Sequence, residues 1–298
     1  MVIELSDLYK MKFLGKLWLE DIFNNIQFDC DYAIIKGEVN SFYEFGKFGK
    51  RIYRDIDILV SRNNAPKIQD IFFNNGYECL QNRKEKLFYK MYSHQFPPLY
   101  NPKLMLQVDL NVNLFWGEYE GKLIDIEEFL SDTTEMEIYG VKVKTLPPIK
   151  AMIQLILHHY KDMNSIFLLA TRKSIKYDMF KDVYYLLKNN LDTIPLDRLY
   201  AMSAEYEIIP YVFYVLYYTG QVFDDEIFKQ YIEAFRTPEG EALLNCYGLC
   251  AKERKEWKCD FKTRLDADNL YDLIKDDLTE KDREKIAINK RIFMGVSE

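Results

Sequence analysis

The chain changes its hydrophobic rhythm twice, and the changes divide it. Over residues 5–26 apolar side chains fall at Leu8, Met11, Leu14, Leu17, Trp18 and Ile22, a three-to-four-residue period that predicts an amphipathic helix. Short β-branched runs follow. YAIIKG (32–37) is ended by glycine, and IDILV (56–60) is ended by Ser61 and a polar turn. Residues 38–48 between them read as a helix closed by Gly46 and Gly49, and 64–75 as another, with Asn63 or Asn64 as its cap, Pro66 in its first turn and Gly76 after its end. Segments 86–95 and 104–112 read as extended, separated by the turn-forming PPLYNP. In the later segment Leu104, Leu106, Val108, Leu110 and Val112 share one face, while Met105, Gln107, Asp109, Asn111 and Asn113 share the other. A hairpin over 135–144 turns at Tyr139 and Gly140.

Pro147-Pro148 marks a boundary. Beyond it the apolar period in 149–160, 178–191, 196–204 and 210–218 predicts helices joined by short polar turns, and the charged stretch after Lys275 reads as a solvated helix or a partly frayed end. Strands followed by helices give an α+β protein: a mixed sheet with flanking helices over 1–146, then a helical bundle over 147–298. A length of 298 residues suits two such domains.

Charge narrows the partners. Forty basic against forty-seven acidic residues leave a net charge of −7, so no overall positive field holds a long nucleic acid by its phosphates. The opening MVIELSDLYKMKF lacks the apolar core of a secretory signal, no run reaches membrane-spanning length, and the most apolar stretch, YVFYVLYY (211–218), reads as a buried helix. The cytoplasm is the expected address. Five scattered cysteines read as free thiols, and the Cys246/Cys250 pair lacks the companions of a zinc site.

The chemistry concentrates in Arg54-Asp55-Ile56-Asp57. On a strand, residues two apart point to one face, so Asp55 and Asp57 present adjacent carboxylates whose repulsion calls for a cation. Oxygen donors alone favour a hard ion, Mg²⁺ or Mn²⁺. Upstream, Lys36-Gly37 gives a bare backbone turn into a helix start, where N–H groups can receive a triphosphate. Downstream, Asp109 offers a third carboxylate, which is the set that two-metal phosphoryl transfer uses.

In the order strand-Gly-helix, D-x-D strand and later Asp strand, the chain resembles the DNA polymerase beta-like nucleotidyltransferase superfamily. More narrowly, KG, RDIDILV, NNGYE and VDLNVNLFW, within 32–116, resemble the bacterial family described as uncharacterised nucleotidyltransferase; TLPPIKAMIQLILHHY and KDVYYLL resemble its helical half less specifically. The resemblance implies Asp55, Asp57 and Asp109 as metal ligands and catalytic residues, and Gly37 as the turn that receives the triphosphate of an NTP substrate. Lys36 and Arg54 are candidate phosphate contacts. Many superfamily members carry serine after the glycine, whereas this chain carries Glu38. The expected activity is transfer of an NMP to a compact small-molecule, peptide or protein acceptor with release of pyrophosphate; the alternative is a catalytically silent nucleotide-binding or scaffold module. His94, placed on the strand before Asp109, is a candidate acceptor contact or an ordinary strand histidine. His158 and His159 read as satisfied histidines near a helix end, and Asp178 and Asp182 as solvated, capping or nucleotide-facing acids.

Overall fold

The computed structural model describes residues 5–51, 53–115, 124–171 and 174–294. Met1–Glu4, at the start of the leader reading, and Trp116, the last residue of the family-like segment, lie outside that set. The chain gathers into two compact units. One comprises Met1–Trp116, Leu123–Met152 and Tyr185–Thr193; the other holds Ile153–Tyr184 and Ile194–Glu298.

The first unit is built on a mixed six-stranded sheet. Its strands are β1 (Tyr32–Ile35), β2 (Asp55–Val60), β3 (Leu99–Asn101), β4 (Leu106–Asn111), β5 (Thr134–Ile138) and β6 (Val141–Thr145), in the order β3-β4-β2-β1-β6-β5. β2 runs antiparallel to β1 and parallel to β4, so the two acid-bearing strands lie side by side at the centre. Tyr139 and Gly140 join β5 to β6 with φ of 55° and 87°, the two left-handed residues that a tight hairpin of native twist requires.

Helices α1 (Leu5–Asn25), α2 (Gly37–Phe45), α3 (Ala65–Asn74), α4 (Arg83–Tyr92) and α5 (Ile126–Phe129) accompany the sheet. The apolar stripe of α1 buries Trp18, Leu19 and Ile22, and the Trp18 indole N–H donates to the Leu104 carbonyl at 3.1 Å. α4 corrects the reading of 86–95 as extended. Asn82 and Glu85 form a reciprocal capping box, in which the Glu85 N–H donates to the Asn82 side chain at 3.1 Å and the Asn82 N–H to the Glu85 carboxylate at 2.9 Å; this starts a helix that the aromatic residues after it do not prevent. The PPLYNP turn likewise holds β3, an edge strand at the rim where proline is tolerated.

Beyond Pro147 come α6 (Pro148–Asn164), α7 (Ile166–Thr171), α8 (Tyr177–Lys188), α9 (Leu196–Glu205), α10 (Ile209–Val222), α11 (Glu226–Phe235), α12 (Pro238–Leu243), α13 (Phe261–Asp266), α14 (Tyr271–Ile274) and α15 (Glu280–Met294). In the second unit α10 is buried on most of its circumference, through Val212, Phe213, Tyr214, Val215, Leu216 and Tyr218. The helical reading misses one feature: β7 (Cys246–Tyr247) pairs with β8 (Lys255–Glu256) in a two-stranded ribbon too short to show a period. Among the described residues no helix is long and apolar enough to cross a membrane.

Candidate active site

Register brings the predicted acids together. Asp57 lies opposite Asp109 and Asp55 opposite Gln107 on the parallel pair β2 and β4, so both aspartates of the D-x-D face the same side as the later one. Asp57 and Asp109 are each only 8% exposed, and Asp55 is half-buried. The polar face of β4 is therefore an interior surface, and amides line it. Asn111 Nδ2 donates to Asp57 Oδ1 at 2.9 Å, and Gln107 Nε2 donates to Asp109 Oδ1 at 3.0 Å. Both amides were visible in the alternation of LQVDLN, but their bonds depend on register, which one strand alone does not disclose.

Lys36 supplies the positive charge. Its Nζ donates to Asp57 Oδ1 at 2.8 Å in a largely buried pair. Burial opposes the ammonium, yet the attraction of Asp57, then Asp109 and Asp55, outweighs it and raises the Lys36 pKa. The acids respond in the opposite sense to their surroundings. Burial, then repulsion from Asp57 and Asp55, pushes the Asp109 carboxyl up to about 7, and burial followed by Asp57 also raises Asp55. Among the described residues, three carboxylates thus meet one ammonium. All-oxygen donors with unbalanced negative charge in a nearly dry place suit a hard divalent cation.

A small cavity joins this cluster to the glycine turn. Ile35, Lys36, Gly37, Tyr53, Asp55 and Asp57 are among the residues that line it. Gly37 is the first residue of α2 and has a φ of 46°, a left-handed value that favours glycine at the helix entrance. Glu38, next along, is buried and spoken for: its carboxylate accepts from the Gly49 N–H and from the Tyr139 hydroxyl, both at 2.7 Å. It ties the loop after α2 to the hairpin tip. Arg54 is exposed, and Arg51 pairs with the fully buried Glu44 at 3.2 Å.

His94 does not sit on a strand. It follows α4, and its carbonyl accepts from the Val112 and Asn113 N–H groups at 2.8 and 3.1 Å, pinning the chain to the end of β4. A second cluster occurs in the other unit. Among the described residues, the histidine, cysteine and acidic side chains with donor atoms all within 4.8 Å of one another are His158, His159 and Asp162. His158 Nε2 lies 3.4 Å from Asp162 Oδ2, and His159 Nε2 lies 3.9 Å from Asp182 Oδ2. Lys161 Nζ already stands in this group, 3.4 Å from His158 Nδ1 and 3.6 Å from Asp162 Oδ1. Asp178 is solvated and pairs with Lys181 at 3.3 Å.

The histidine group is the tighter by distance, but Lys161 sits within it and partly balances its charge, whereas the sheet group carries more acid than base. A search of the curated proteins gave no match. Among solved structures the chain is similar to the solution structure of the antibiotic-resistance factor ANT(2'')-Ia, at 12% identity over 67% of this chain and 97% of the other, with a TM-score of 0.36. It is also similar to an antigenic nucleotidyltransferase-like protein from Paracoccidioides brasiliensis, at 15% identity over 62% and 78% of the two chains, with a TM-score of 0.34. Likenesses this faint add no weight. The family model described as uncharacterised nucleotidyltransferase matches residues 19–224, more than half of the chain, and takes in β1, the D-x-D of β2 and Asp109 of β4. The chain belongs to the uncharacterised nucleotidyltransferase family.

Proposed function

We propose that the protein is an active, Mg²⁺- or Mn²⁺-dependent enzyme that moves an NMP from an NTP to a compact acceptor. The observation that carries this reading is the register of Asp57 beside Asp109, with Asp55 on the same face and the Lys36 ammonium among them. Asp55 and Asp57 would hold the divalent ions on the triphosphate side, and Asp109 would complete the set toward the acceptor. Bound there, the ions supply charge neutralisation and in-line alignment of the reacting oxygens. The residues of the chain do the rest. Asn111 fixes Asp57 and Gln107 fixes Asp109, so neither carboxylate must reorganise when charge develops. The turn at Gly37 presents the start of α2 to the triphosphate, with Lys36 and Arg54 as phosphate contacts. In the reaction the acceptor oxygen or nitrogen forms a bond to the α-phosphorus, the bond from that phosphorus to the bridging oxygen breaks, and pyrophosphate leaves. The acceptor proton passes to Asp109 or to water.

A net charge of −7 supports a compact acceptor over a long nucleic acid. The decisive assay incubates the protein with Mg²⁺, each NTP labelled at the α-phosphorus, and cell extract as the acceptor source, against an Asp55→Asn, Asp57→Asn variant. Label transferred by the wild type alone supports the reading. No transfer and no metal-dependent NTP binding would sink it and leave a silent scaffold.

A further inference from the structure

Lys36 reaches the acids by an unusual route. Ile35 pairs directly with Asp57 across β1 and β2, so those two side chains share a face, and an extended chain would send residue 36 to the opposite one. The backbone turns at that point. Lys36 takes φ 62° and ψ −152°, a conformation that belongs almost entirely to glycine, and Gly37 follows with φ 46°. Strain of this kind persists only where the surroundings impose it. Here its result is an ammonium 2.8 Å from Asp57 Oδ1, the oxygen that also accepts from Asn111.

We propose that Lys36 is an exchangeable cation: its ammonium competes with a divalent ion for Asp57 and gives way when a triphosphate arrives to receive it. The proposal rests on the nucleotidyl-transfer reading and adds regulation of the same site. Asp57 Oδ1 already accepts two hydrogen bonds, and a doubly charged ion on it would meet the ammonium at contact distance, where like charges repel strongly in a buried place. The ammonium must leave, and a buried cation needs an anion to leave toward. The entrance of α2 begins at the next residue, so a triphosphate received there lies within the sweep of the lysine side chain. Nucleotide and metal then bind with positive coupling, and each raises affinity for the other by the same factor. In the proposed scheme Lys36 keeps the ion site closed to metal alone and becomes a phosphate contact once the nucleotide is bound.

The test titrates Mn²⁺, followed by the electron paramagnetic resonance signal of the unbound ion, into wild type, Lys36→Gln and Lys36→Arg. Each titration is run without nucleotide and with an NTP analogue bridged by methylene between the α- and β-phosphorus. Without nucleotide, Lys36→Gln should bind Mn²⁺ at least about tenfold more tightly than wild type, because a repelling charge is gone, and Lys36→Arg should resemble wild type. The factor by which nucleotide tightens Mn²⁺ should shrink in Lys36→Gln. Lys36→Gly, which relieves the backbone as well, should show the same tightening and melt no lower than Lys36→Gln, so a poorly folded glutamine variant does not end the test. Equal or weaker Mn²⁺ binding by Lys36→Gln and Lys36→Gly without nucleotide overturns the proposal alone. Absence of Mn²⁺ binding in every protein, with and without nucleotide, overturns the nucleotidyl-transfer reading with it.

Discussion

The two charged clusters of this protein balance their charge differently. On the sheet, among the described residues, three carboxylates share one ammonium, and burial with mutual repulsion holds Asp109 and Asp55 above the usual carboxylate range. On the helices of the second unit, Asp162 and Asp182 are accompanied by the Lys161 ammonium and lie beside two imidazoles, so part of the compensation is built in. On the proposed reading, proximity does not pick out the ligand site, since the helical group is the tighter by distance. Uncompensated charge is what that reading rests on. A folded protein bears repulsion at some cost to its stability, and a buried deficit that the chain does not fill itself points to a partner that does.

The largest expected effect separates the clusters by activity. Asp55→Asn should lower nucleotidyl transfer by about 10³-fold or more, the scale of removing a preorganised charge-stabilising group, while its thermal midpoint in chelator stays level or rises because repulsion with Asp57 has been relieved. Calorimetry beside the label-transfer assay checks both. A variant that keeps full transfer, or that loses activity by unfolding, would place Asp55 in the fold and not in the chemistry.

The next test uses pH. Asp109 has a folded pKa of about 7 against an ordinary 3.8, so between those values the native state holds a proton that the unfolded chain has released. Stability in chelator is therefore highest, as far as this group is concerned, below about pH 4, and falls as pH rises to about 7. Asp109→Asn removes the titration, so its stability advantage over wild type should open between about pH 4 and about pH 7 in urea melts, and saturating Mg²⁺ should close it. A wild type that gains stability over that range relative to Asp109→Asn would reverse the sign and contradict a charge deficit on the sheet.

In the helical cluster the same neutralisation should do the opposite. Asp162→Asn removes the carboxylate beside Lys161 and His158 and should cost about 1–3 kcal/mol of stability, the range for breaking a buried polar pair. Its Mn²⁺ affinity in the presence of nucleotide should stay within about threefold of wild type, a change below 1 kcal/mol. A neutral or stabilising Asp162→Asn would show that the second cluster also carries unmet charge and would remove the contrast.

Much of the sheet site can be read from the chain. Period-two alternation put Asp55 with Asp57 and Asp109 with Asn111, and Gly46 and the Tyr139-Gly140 turn marked element ends, although α2 stops at Phe45, short of the expected residue 48, and Gly49 ends no element. What escaped depends on information outside the local pattern. The aromatic run LFYKMY has strand-like composition, and only the Asn82/Glu85 capping box reveals the helix. Lys36 reaches the acids by a positive φ and not by strand alternation, and alternation read through it would send it to the wrong face. The burial of the polar face of β4 follows from what covers it, and composition gave no sign of it.

The smallest expected effect decides whether Glu38 belongs to the charge deficit. It follows Gly37 at the entrance of α2, where many members of the wider superfamily carry serine, and as a carboxylate near a triphosphate it would weaken binding. Its geometry gives it other work. Both oxygens are engaged, by the Gly49 N–H and the Tyr139 hydroxyl, and together these bonds join the loop after α2 to the hairpin between β5 and β6. A serine is too short to make both. Glu38→Ser should therefore lower stability by about 1–2 kcal/mol, the value of one or two hydrogen bonds, without tightening NTP binding by more than about twofold, as measured by urea melts and nucleotide titration in Mg²⁺. A tenfold gain in nucleotide affinity would instead count Glu38 as a fourth carboxylate of the site, and the deficit on the sheet would then be larger than Asp55, Asp57 and Asp109 make it.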